Sequence, residues 1–223
     1  MNKLKIKVCG MRDAENIRAV AQLDIDLMGF VFFPKSPRYV LEDPGFAERM
    51  QLKTMGGTCR MPEKVGVFVD EMPQNIITAA YYYGLHVIQL HGKETREFCE
   101  NLRLTLDPDI CPGVKIIKAL SIKEPSNVDR YKAYEGAVDS FLFDTRCPTA
   151  GGSGKQFDWS VLDRYDGDTP FFLSGGIGPD DVARVKSFSH PRLAGIDLNS
   201  RFEISPALKD VEKLRAFIRH IRG

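Results

Sequence analysis

Strand-like apolar runs alternate with helix-period segments eight times along the chain, and this alternation constrains the fold more than any other feature. The runs are LKIKVCG, DLMGFVFF, EKVGVFVD, HVIQLHG, GVKIIKAL, DSFLFDT, TPFFLSGGI and RLAGIDLNS. Most are apolar at consecutive positions, the pattern of strands buried on both faces, which argues for a parallel sheet covered by helices. The intervening segments carry start and stop signals. Asp13 is placed to N-cap AENIRAVAQL, and Pro73, Pro125, Pro179 and Pro206 sit where first helical residues belong. Gly84 and Gly136 fall where helices would stop. Leu208, Val211, Leu214, Ile218 and Ile221 form one stripe of a last helix.

Eight such units in 223 residues predict an α/β fold, a single-domain (β/α)8 TIM barrel spanning residues 1–223, with an open doubly wound sheet as the alternative. With 43% apolar and 27% charged residues, the composition is that of a soluble globular chain. A formal net charge of +1 gives no reason to expect a nucleic-acid or membrane partner. Lys3, Lys5 and Lys7 alternate with apolar residues and read as the solvated side of the first strand. The N-terminal residues show no signal-peptide pattern, and no apolar run reaches the ~18–20 residues of a membrane span. Five cysteines, an odd number without a CxxC pair, argue against a disulfide framework or structural zinc and for a cytoplasmic setting.

In a barrel the reactive groups lie at the C-terminal strand ends. There the chain places Cys9, Asp70, His91, Asp144, Ser174 and Asp197, with Arg38 in the second βα loop. Cys9 reads either as a small buried hydrophobe or, at the catalytic rim, as a thiolate base. An unperturbed thiol of pKa ~8.5 is only slightly ionised at neutrality, so that role needs a lowered pKa or a substrate-driven step. Asp144 reads either as a loop-anchoring carboxylate or as a general acid. Arg38, between two prolines in FPKSPRYV, suits capture of a carboxylate or phosphate. Gly175 and Gly176 after strand seven, with DLNSRFE after strand eight, occupy positions where barrels hold phosphate. The Gly-rich stretch TAGGSGK has Thr149 and Gln156 where a P-loop needs glycine and Ser or Thr; it reads instead as a lid carrying Lys155. His91 has no second histidine at a neighbouring strand end, which argues against a metal site.

Taken together and in chain order, KVCGMRD, GFVFFPKSPRYV, KVGVFVD, VIQLHG, FLFDT with GGSGKQFDW, FFLSGGI and GIDLNSRFE resemble the phosphoribosylanthranilate isomerase family over nearly the whole chain. The resemblance implies an Amadori rearrangement of N-(5-phosphoribosyl)anthranilate, a phosphosugar substrate, without cofactor or metal, by a monomer or homodimer. It implies Asp144 as the acid, Cys9 as the base and Arg38 facing the anthranilate carboxylate. By the resemblance Gly154, Gly175, Gly176, Asn199 and Ser200 would hold phosphate, while His91, from its place at the rim, reads either as a substrate contact or as a residue that fixes loop geometry. Ser200-Arg201 departs from the Ser-Gly common in the family, so Arg201 either narrows access to the phosphate or helps hold it or Glu203. A related isomerase of histidine biosynthesis and a catalytically silent phosphate-binding barrel are the alternatives. Cys9 argues against the first, which resembles a two-aspartate design, and the intact acid–base pair argues against the second.

Overall fold

The computed structural model describes residues 3–42, Phe46, 61–107, 109–145 and 158–223. All eight expected apolar runs form parallel strands: β1 (Lys5–Cys9), β2 (Leu27–Val31), β3 (Glu63–Phe68), β4 (Val87–Leu90), β5 (Lys115–Ile122), β6 (Ser140–Thr145), β7 (Phe171–Ser174) and β8 (Leu193–Leu198). They pair in sequence order and close, β8 returning to β1 with Lys7 opposite Asp197. The result is the expected (β/α)8 barrel.

The alternating pleat sends neighbouring residues to opposite faces. Ile6, Val8, Met28, Phe30, Phe141 and Phe143 point outward into the layer under the helices. Cys9, Leu27, Val65, Val67, Leu142 and Phe172 point inward and pack with one another inside the barrel. Both faces are dry, which is why the strands read as nearly unbroken apolar runs.

Among the described residues the helices are α1 (Ala14–Ala21), α2 (Pro73–Tyr83), α3 (Arg96–Leu106), α4 (Val182–Ser187) and α5 (Val211–Arg222). Asp13 caps α1, its carboxylate accepting from the Asn16 amide at 2.8 Å. Pro73 opens α2, and Gly84 ends it in the left-handed region with φ 57°. The other proline signals behave differently. Pro125 and Pro179 open 3₁₀ turns, residues Pro125–Ala133 and Pro179–Asp181. In the first, the Asn127 side chain accepts from the Lys123 amide and so competes with a regular helical start.

Pro206 opens no helix. It lies in the turn between β9 (Glu203–Ser205) and β10 (Leu208–Lys209), an antiparallel pair after the barrel. Leu208 therefore leaves the expected stripe, and α5 starts at Val211 with Asp210 as its cap. The extended backbone is fixed from α1: the Asn16 carboxamide bonds both the amide and the carbonyl of Lys209, each at 2.8 Å.

Lys7 also departs from expectation. It is 0% exposed and points into the barrel, paired with Asp197 at 2.8 Å. Residues two apart on a strand share a face, so a Lys7 on the same strand as an inward Cys9 must also point inward.

Candidate active site

The inward faces and βα loops at the C-terminal strand ends enclose a cavity of about 550 Å³. Cys9 and Asp144 both line it, from β1 and β6, as do Arg38, His91, Gly175, Gly176, Asn199 and Ser200. All the expected strand-end and loop residues among the described ones except Asp70 thus line one space. Gly154 lies outside the described residues, as do Lys155 and the rest of the Gly-rich stretch. Asp70 does not line the cavity; its carboxylate accepts from the Lys93 amide at 2.5 Å and fixes the neighbouring loop.

Cys9 is 4% exposed at the end of β1. Gly29, opposite it on β2, leaves room for the sulfur: a Cβ at Gly29 would lie 2.7 Å from Cys9 Sγ. Burial pushes the thiol above its ordinary pKa; Lys7 and Lys209 pull against that shift, and Asp197 adds to it. The resting side chain is therefore a thiol at neutral pH. Of the two routes open to a thiolate base, the substrate-driven step fits this environment better than a permanently lowered pKa.

Beside Cys9 runs a buried network of charges that the sequence reading did not contain. Asp197 accepts from Lys7 Nζ at 2.8 Å and from Ser174 Oγ at 3.2 Å. Lys209, 1% exposed, donates to Asn199 Oδ1 at 2.8 Å and to Glu203 Oε1 at 2.6 Å. Arg38 donates to Glu203 through Nε at 2.8 Å and through Nη2 at 2.5 Å. This fork–fork pairing turns one edge of the guanidinium toward the protein and leaves Nη1 for a ligand. Burial pushes Glu203 up, but Arg38 and Lys209 outweigh it and hold its pKa below the ordinary glutamate value. Glu203 is thus held by Arg38 and Lys209, while Arg201 lines the cavity beside Ser200.

Asp144 is 4% exposed, with Oδ2 3.7 Å from His91 Nε2. The other ring nitrogen, Nδ1, lies 3.3 Å from the Gln89 amide nitrogen. With Gln89 donating there, a neutral ring carries its proton on Nε2, the nitrogen facing Asp144. Gln89 also lines the cavity and was not among the expected residues. It stands two positions before His91 on the inward face of β4, the same period-2 signal that exposes Lys7.

The third side of the cavity is backbone. Gly175 has φ +100°, and a Cβ there would collide with the Thr145 carbonyl, so only glycine lets β6 and β7 close up at this point. Gly176, Asn199 and Ser200 continue this wall. The Gly178 amide is already used, donating to Asp181 at 2.7 Å. Trp159, just past the undescribed stretch, is buried and lies under the Arg184 guanidinium at 3.5 Å.

Among the described residues, no cluster of three His, Cys, Asp or Glu side chains could hold a metal ion. Likewise, no described helix is long and apolar enough to cross a membrane. A thiol, a carboxyl and a glycine-walled polar recess thus face one cavity at the C-terminal mouth, where (β/α)8 enzymes carry out their chemistry.

Comparison with known proteins narrows that class. Residues 6–220 match the family model for N-(5'-phosphoribosyl)anthranilate (PRA) isomerase, and the chain belongs to that family of isomerases. It is 46% identical to the N-(5'-phosphoribosyl)anthranilate isomerase of Parabacteroides distasonis, over 97% of this chain and 92% of that protein. The Phocaeicola vulgatus isomerase is also 46% identical, over 97% of both chains. The phosphoribosylanthranilate isomerase structure from Thermotoga maritima superposes with a TM-score of 0.79 at 31% identity, covering 99% of each chain. A second structure of such an isomerase, in complex with reduced 1-(o-carboxyphenylamino)-1-deoxyribulose 5-phosphate, gives 0.79 at 30% identity with the same coverage.

Proposed function

We propose that this isomerase converts N-(5'-phosphoribosyl)anthranilate to 1-(o-carboxyphenylamino)-1-deoxyribulose 5-phosphate, a step of tryptophan biosynthesis, in the cytoplasm. Asp144 serves as the acid and Cys9 as the base. The observation that carries the reading is that these two groups reach one cavity from β1 and β6, well apart around the barrel. The rearrangement needs such a pair. Asp144 gives a proton to the ribose ring oxygen, the C1′–O bond breaks, and the anthranilate nitrogen supplies electrons to form an iminium. The C2′ proton is then acidic, and Cys9, in the thiolate form that the substrate-driven step supplies, removes it to leave an enolamine, which tautomerises to the ketone. Each positioned group is typically worth 10²–10⁴-fold.

The remaining residues suit the two anionic ends of the substrate. Arg38 offers Nη1 to the anthranilate carboxylate while Glu203 fixes its other edge. Gly175, Gly176, Asn199 and Ser200 line the recess that takes the phosphate, with Arg201 beside Ser200. His91 holds its Nε2–H toward Asp144 and lies where it can also contact substrate.

The test is steady-state turnover of N-(5'-phosphoribosyl)anthranilate by Cys9→Ala and Asp144→Asn, with circular dichroism to establish that both fold. Each should lose nearly all activity, roughly 10²–10⁴-fold or more in kcat. Near-wild-type kcat in either would overturn the assignment of that residue.

A further inference from the structure

We propose that Lys7 is a positioning residue of the reaction: its buried ammonium, tied to Asp197 and on the same inward face of β1 as Cys9, stabilises the transient Cys9 thiolate that then takes up the C2′ proton. This rests on the assignment of Cys9 as the base.

The geometry leaves the ammonium little else to do. Lys7 is 0% exposed inside a barrel otherwise lined by Val65, Val67, Val87 and Leu142. Taking an ammonium out of water is expensive, and a pair made only for stability could be replaced by apolar residues at little or no loss. Lys7 stands two residues before Cys9 on the same inward face of β1, and its ammonium is hydrogen-bonded to Asp197 at 2.8 Å. Burial works against its charge, but Asp197 and Cys9 outweigh that and hold its pKa above the ordinary lysine value. Lys7 therefore stays an ammonium throughout the working pH range.

The charges facing Cys9 come from four elements: Lys7 on β1, Asp197 on β8, Lys209 on β10 and Arg38 in the loop after β2. Two of the three cations are committed elsewhere. Arg38 is forked onto Glu203, and Lys209 is divided between Glu203 and Asn199. Among the described residues, Glu203 and Asp197 are the carboxylates bonded to these three cations, which leaves the group one positive charge in excess. A thiolate at Cys9 completes it, and Lys7 is the cation that shares the inward face of β1 with the sulfur.

The test measures the thiol directly. Thiolate absorbance near 240 nm is followed against pH, with Cys9→Ser as the blank that removes the other cysteines, in wild type, Lys7→Met, Lys7→Arg and Lys7→Met/Asp197→Asn. The double variant leaves no orphaned carboxylate and guards against misfolding. Lys7→Met should raise the Cys9 midpoint by about one pH unit or more. The double variant should raise it less, and Lys7→Arg should hold it near wild type. The acid limb of kcat/KM should move by the same amount. An unchanged midpoint in both methionine variants would overturn the proposal while leaving Cys9 as the base. A moved midpoint with an unmoved kcat/KM profile would overturn both, because the thiol would then not be the working base.

Discussion

Gly29→Ala adds a single methyl group inside the barrel and aims it at the reacting sulfur. Built on the existing backbone, that Cβ lies 2.7 Å from Cys9 Sγ, 3.1 Å from Cys9 Cα and 3.2 Å from Cys9 Cβ. Comfortable non-bonded contact begins near 3.5 Å, so the sulfur must retreat by about 0.8 Å. Turning the Cys9 side chain does not remove the other two contacts, so β1 must also give by a few tenths of an ångström. Overpacking of this kind costs typically about 1–3 kcal/mol, and for a domain of this size each kcal/mol lowers Tm by about 2–4 °C. The variant should fold and melt about 2–12 °C below wild type. Catalysis should suffer more, because a displacement near 1 Å of a reacting group can cost about 10²-fold. Scanning calorimetry and steady-state kinetics on the same preparation give both numbers. If Tm falls as expected while kcat stays within twofold of wild type, the position of Cys9 does not govern the rate, and the argument from its placement fails.

Two further predictions concern buried charge. Glu203 has a depressed pKa, so the stability it contributes is present above the ordinary carboxylate range and is lost as pH falls through its lower folded value. The stability deficit of Glu203→Gln in urea at pH 7 should therefore shrink as pH drops below about 4, and a pH-independent deficit would refute the linkage. On the outer face of β5, Lys118 is 1% exposed and donates to Glu94 at 2.6 Å and to the Gly92 carbonyl at 2.8 Å, next to His91. Lys118→Met strands the Glu94 carboxylate and should cost about 3–5 kcal/mol in thermal or urea unfolding; a loss under 1 kcal/mol would show that Glu94 finds water or a proton instead.

The strands were legible in the sequence because a closed barrel makes the same demand on every one of them, burial on both faces. Cys9, Asp144, Arg38 and the glycines of the recess were legible because strand ends select them. Lys7 was misread through a rule sound for sheets with one wet face: lysines alternating with apolar residues mark the solvent side. In a barrel the second face is the interior, and Cys9 two positions on already fixed which face Lys7 shares. The pairing of Arg38 with Glu203 was hidden for another reason. The two residues are 165 positions apart, and only the β9–β10 turn, itself fixed by Asn16, brings them together. Pro206 misled because proline's fixed φ suits a turn as well as a helix start.

The pair between Lys7 and Asp197 spans 190 positions and lies on the seam where the sheet meets itself. During synthesis the ammonium leaves the ribosome 190 residues before its counter-charge does. A chain held short of β8 can stack most of its strands, yet it cannot bury Lys7 without leaving a bare cation in an apolar interior. Pairing of β8 with β1 removes that penalty, so closure of the sheet and burial of Lys7 are energetically coupled. The carboxylate that neutralises the seam, Asp197, also lines the candidate site.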